Sequence, residues 1–66
     1  DSKQDFARFL HIAKGSAAEL RTQVNIACQI GMLKPETSQE LINELKSISS
    51  MLHGLIKTLK PKPSKT

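Results

Sequence analysis

The chain contains one cysteine, two phenylalanines and no tryptophan or tyrosine. A single thiol, Cys28, excludes an internal disulfide. Without a bridge or a metal, 66 residues make at most one small domain, and its core is marginal unless the chain associates. A lone free thiol fits a reducing compartment, so a cytoplasmic location is expected. The shortage of aromatic residues argues against base-stacking platforms of the single-strand-binding kind. No stretch approaches the roughly 20 apolar residues of a membrane span, so no membrane partner is expected.

Chemical motifs are also missing. His11 and His53 fall on separate predicted helices, and neither has an acidic residue at i+3 or i+4. Cys28 is far along the chain from His11, so no zinc-ligand spacing appears. Ser16, Ser47, Ser49 and Ser50 lack a nearby His/Asp arrangement or a Gly-x-Ser-x-Gly elbow. Gly15-Ser16 lies inside a predicted helix, whereas a phosphate loop needs a helix N-terminus. These absences point away from an enzyme, a cofactor, a metal site or a small-molecule substrate.

What is present is helical periodicity. From Phe6 onward, apolar or small residues recur at Phe6, Leu10, Ala13, Ala17, Leu20, Val24, Ala27 and Gly31, in alternating steps of four and three. That is a heptad seam, suited to helices packing at a shallow angle. A second set, Phe9, Ile12, Ile26 and Ile30, lies on the adjoining arc. At 100° per residue the two sets cover roughly 200° of the helix. A helix with one neighbour needs only a stripe, so this one is expected to have two packing duties.

Ser2 to Asp5 resembles a capping box, which places the helix start near Lys3. Gly31 suits the left-handed residue that closes a helix. Lys34-Pro35-Glu36 then opens a second helix, with Thr37 to Glu40 as a later alternative start. Its apolar series is Leu41, Leu45, Ile48, Leu52, Leu55 and Leu59, widened by Ile42, Met51 and Ile56. Pro61 stops it. Helices are therefore predicted over about 3–30 and 35–60, in one hairpin spanning 1–60. A basic tail without a core face, expected to be disordered, follows over 61–66. The connection is short enough to make the helices antiparallel neighbours. The fold class is all-α. So much apolar surface on a hairpin predicts association with further helices.

The net charge is +4, from ten Lys/Arg against six Asp/Glu. Such a balance favours polyanionic partners without specifying one. On the first helix, Arg8, Lys14 and Arg21 lie on or near the polar side. At the C-terminal end Lys57, Lys60, Lys62 and Lys65 crowd together with no acid after Glu44. These seven are the candidate nucleic-acid contacts, and salt-dependent binding is the expected signature. A solvated helix face and a solubilising tail account for the same residues more plainly.

Asp5-Phe-Ala-Arg-Phe-Leu-His-Ile-Ala-Lys-Gly-Ser-Ala-Ala-Glu-Leu20 also resembles a known signature. It is similar to the third helix of the bacterial four-helix-bundle proteins linked to intervening sequences in 23S ribosomal RNA genes. Phe6, Arg8, Phe9, Leu10, Ile12, Ala13, Lys14, Gly15, Ser16, Glu19 and Leu20 carry the match. Gly31-Met32-Leu33 resembles that family's interhelix turn, and Leu52 to Lys60 its closing helix. The resemblance implies that this chain is the C-terminal half of a protein about twice as long. It implies an up-down four-helix bundle of which this hairpin forms half, assembled as a homo-oligomer, a pentamer in known members. A related group, the accessory variability proteins of diversity-generating retroelements, works with a reverse transcriptase and its RNA. RNA or a nucleoprotein is thus an implied partner. The competing expectation is a structural protein–protein module with no nucleic acid.

Overall fold

The computed structural model describes residues 1–59, which form two α-helices and no strand. Helix α1 spans Ser2–Gln29 and α2 spans Pro35–Leu59, packed against each other as a hairpin. At 1.5 Å per residue each arm is roughly 40 Å long. The tail expected over 61–66, together with Lys60, lies outside the described residues.

The ends of α1 follow from local chemistry. Its cap is Asp1, one residue before the serine expected from the capping-box pattern. The Asp1 carboxylate accepts from the Gln4 backbone N–H at 2.9 Å. A charged cap three residues from that N–H also complements the positive helix end, so it displaces Ser2 into the first turn. At the other end Gly31 takes φ +85°. The Met32 N–H donates to the Ala27 carbonyl (2.8 Å) and the Gly31 N–H to the Cys28 carbonyl (3.1 Å). This paired return is a Schellman motif, which satisfies carbonyls the helix leaves open. Pro35 then starts α2, where its missing N–H is not needed, and the Ser38 N–H donates to the Lys34 carbonyl at 2.9 Å.

The seam is a heptad repeat whose phase differs by one flank from the apolar series in the sequence. On α1 the buried or half-buried residues are Ala7, Leu10, Lys14, Ala17, Arg21, Val24 and Cys28, with Ala27 beside them. On α2 they are Ser38, Ile42, Leu45, Ser49, Leu52, Ile56 and Leu59. We write α1 with Ala7, Lys14, Arg21 and Cys28 at a, and Leu10, Ala17 and Val24 at d. On α2, Ile42, Ser49 and Ile56 are a; Ser38, Leu45, Leu52 and Leu59 are d.

Half of the expected series therefore closes the hairpin, namely Leu10, Ala17, Val24, Leu45, Leu52 and Leu59. The other half stays on its flank: Phe6, Ala13, Leu20, Leu41, Ile48 and Leu55 are all exposed. The cause is that two helices bury one stripe between them, whereas the apolar surface here is wider than a stripe. Small side chains at Ala7, Ala17, Ser38 and Ser49 suit a close approach. The long stems of Lys14 and Arg21 can cover the seam while their charges reach water.

Candidate nucleic-acid interface and the opposite apolar face

In an antiparallel helix pair the e positions of both helices flank one side of the seam, and the g positions flank the other. Here the two sides differ completely in chemistry. The g side carries Phe6, Ala13, Leu20 and Ala27 from α1 and Leu41, Ile48 and Leu55 from α2. A groove of about 360 Å³ opens on it, lined by Leu20, Val24, Leu41, Leu45 and Ile48, with Glu44 as its one charged residue. This lining brings Leu20 and Val24 of α1 beside Leu41, Leu45 and Ile48 of α2.

The e side carries His11, Ala18 and Asn25 from α1 and Gln39, Lys46 and His53 from α2. The a residues Lys14 and Arg21 emerge beside it. Lys14 Nζ donates to His53 Nδ1 at 3.1 Å across the seam. An ammonium has no lone pair, so Nδ1 is the unprotonated ring nitrogen in this contact. Gln39 Nε2 donates to Asn43 Oδ1 at 3.0 Å. No Asp or Glu occupies an a or e position of either helix. The carboxylates of Asp5, Glu19, Glu40 and Glu44 lie at f and c, and Glu36 lies in the first turn of α2. The face is therefore polar and positive along much of its length.

The candidate contacts distribute as follows. Lys14 and Arg21, expected on the polar side, stand half-buried at the seam and border the e side. Arg8 and Lys57 are exposed at b positions, on the outer edges of the same face near the open end. Lys60, Lys62 and Lys65 lie outside the described residues. The structure adds Lys46 and His53, which the sequence places on the outer surface of α2 without linking them to α1. Their seven-residue spacing with Gln39 was the available signal, but it becomes meaningful only once the phase of the seam is known.

The second arc is also open. Phe9, Ile12, Ile26 and Ile30 lie at c and f positions and are 60, 57, 50 and 65% exposed. Cys28 is half-buried at the seam. Among the described residues no cluster of His, Cys, Asp and Glu can hold a metal ion, and no helix is long and apolar enough to cross a membrane.

These features define an all-α helical hairpin with one apolar side and one basic polar side. The chain belongs to the 23S rRNA-intervening sequence protein family, whose model matches residues 1–54. No curated protein and no solved structure matches it.

Proposed function

We propose that the chain is a non-enzymatic helical assembly unit whose e side associates with RNA or an RNA–protein particle in the cytoplasm. The observation that carries this reading is the separation of charge from apolar surface. Five cations (Arg8, Lys14, Arg21, Lys46 and Lys57) border or occupy one side, and no carboxylate occupies its a or e positions. Such a side attracts phosphates, while the opposite side is left for protein. Membership of a family named for a ribosomal RNA intervening sequence is consistent with an RNA partner. Contacts of this kind read the backbone rather than the bases, so weak sequence preference goes with them.

Assembly is the other half of the proposal. The g side and the Phe9–Ile12–Ile26–Ile30 arc point in different directions, so one helical layer cannot cover both. The g side suits completion of a four-helix bundle. The second arc suits contact between bundles, including the ring of five that the family resemblance implies. A purely structural module is the second reading, and the eleven exposed large apolar residues among the described residues favour it.

A salt titration of binding to a single-stranded RNA oligonucleotide separates the two. A steep loss of affinity with rising salt is expected if the e side binds phosphates. Absence of binding at low salt refutes the RNA reading and leaves the structural module.

A further inference from the structure

We propose that the Lys14–His53 junction is a phosphate-binding point for RNA at which His53 takes up a proton as the phosphate arrives, so that acidification tightens binding. This rests on the reading of the e side as an RNA surface and adds to it one proton-linked residue.

The junction is held by a single cross-helix hydrogen bond, from Lys14 Nζ to His53 Nδ1 at 3.1 Å. A lysine ammonium has three donors and no lone pair, so donors remain after one has met the imidazole. A carboxylate is the ordinary partner for a lysine at a seam, and none stands at an a or e position of either helix. The imidazole accepts from Lys14 only while Nδ1 is unprotonated. Its lone pair is that of a neutral group, whereas a phosphate oxygen is charged. Hydrogen bonds to an ionised acceptor are roughly twice as strong as neutral ones. A phosphate at the junction therefore takes Lys14 over from His53. Nδ1 is then free, and a proton from solvent turns it into a second donor to the same phosphate.

The charges around His53 favour that exchange. From α1 it faces Lys14, with His11 three residues before Lys14 and Arg21 seven after it. On its own helix Lys46 stands seven residues before it and Lys57 four after it. Asp5, Glu19, Glu40 and Glu44 lie at f and c positions, on other faces. Every charged side chain facing His53 among the described residues is thus positive. A phosphate supplies the negative charge that the junction lacks, and a nearby opposite charge favours the protonated imidazole.

The junction is also open and already arranged. Lys14 is half-buried, and its head is tethered to His53, so little side-chain freedom is lost when a phosphate replaces the imidazole. The neighbouring e and b positions carry small residues, Ala18 and Gly15 on α1 and Ser50 on α2. A Cβ added at Gly15 would meet nothing within 4 Å. No packing neighbour therefore requires glycine there, although glycine weakens a helix interior relative to alanine. Open space beside Lys14 is what a sugar–phosphate backbone needs to reach it.

The sign of the pH effect follows. His53 accepts in the free hairpin and donates in the complex, so binding takes up at most one proton. Affinity then rises as pH falls, by no more than about tenfold per pH unit, within the range of roughly pH 5–8 where histidine changes charge.

The test uses the full 66-residue chain and a single-stranded oligouridylate, whose bases stay uncharged between pH 5.5 and 8, at one low ionic strength. Affinity of the unaltered chain is expected to rise on the order of tenfold from pH 8 to pH 5.5. His53→Gln should reduce that ratio to less than about twofold, because the proton-linked group is gone. His11→Gln should keep most of it. At pH 7, adding the oligouridylate should move the His53 ring resonances toward the protonated form. This readout comes from the unaltered chain, so it decides the matter even where a variant fails to fold. A pH ratio that survives His53→Gln, one lost equally in His11→Gln, or ring resonances that do not move overturn the proposal. Salt-sensitive binding with a flat pH profile overturns the proton linkage and leaves the RNA reading standing. Absence of binding at every pH refutes both.

Discussion

Replacing Lys14 and Arg21 with leucine is predicted to make the hairpin more stable and its RNA binding weaker. Both residues occupy a positions, where a heptad ordinarily holds an apolar side chain. Fully burying a leucine is worth about 1.5–3 kcal/mol. Each site is only half-buried, and the existing stems already cover part of the seam. The gain is therefore nearer 1 kcal/mol per site. At position 14 the loss of the Lys14–His53 hydrogen bond offsets about half of that, since an exposed bond of this kind contributes about 0.5 kcal/mol. The double variant should gain roughly 1–1.5 kcal/mol by this area accounting, read by thermal or urea unfolding. Binding should move the other way. Five phosphate contacts to a single strand give a slope of log affinity against log salt of about −3.5, and three give about −2.1. A double variant that loses stability would refute the reasoning, because the cations would then be structural. An unchanged salt slope would show that they do not meet phosphate.

Other substitutions test the fold beneath this account. Ile56 is 2% exposed and Met51 is 69% exposed, so Ile56→Ala should cost about 3 kcal/mol, or unfold the hairpin, while Met51→Ala stays within about 0.5 kcal/mol in the same unfolding assay. Gly31→Ala should cost roughly 1 kcal/mol; an added Cβ would meet nothing within 4 Å, so the cost comes from φ +85° alone. Asp1→Ala should lower helix stability by about 1 kcal/mol through loss of the cap, whereas Ser2→Ala should have little effect; the reverse ranking in thermal melts would restore the serine as the cap.

Most of the fold is legible in the sequence because helix periodicity and punctuation are local. Gly31 closing α1 and Pro35 opening α2 both follow from backbone chemistry that needs no partner. The phase of the seam is not local. The series Phe6–Leu10–Ala13–Ala17 contains two adjacent stripes, and only the packed pair decides which stripe closes the hairpin. Lys14 and Arg21 show why. A pattern of apolar residues excludes a lysine or arginine from the seam, yet the long stems make both acceptable there. The basic side was hidden for the same reason, since Lys46 and His53 join Lys14 only across the interhelical gap. The cap shows the opposite limit: two adjacent residues, Asp1 and Ser2, both have capping chemistry, and geometry chooses between them.

The division of the hairpin into a basic side and an apolar side is tested most directly by backbone amide NMR during titration with a short single-stranded RNA at low salt. The account predicts shift changes concentrated at His11, Lys14, Ala18, Arg21, Lys46 and His53, reversed by added salt. Ala13, Leu20 and Ile48 on the other side should stay in place. Changes centred on those apolar positions, or no change at any amide, would contradict it.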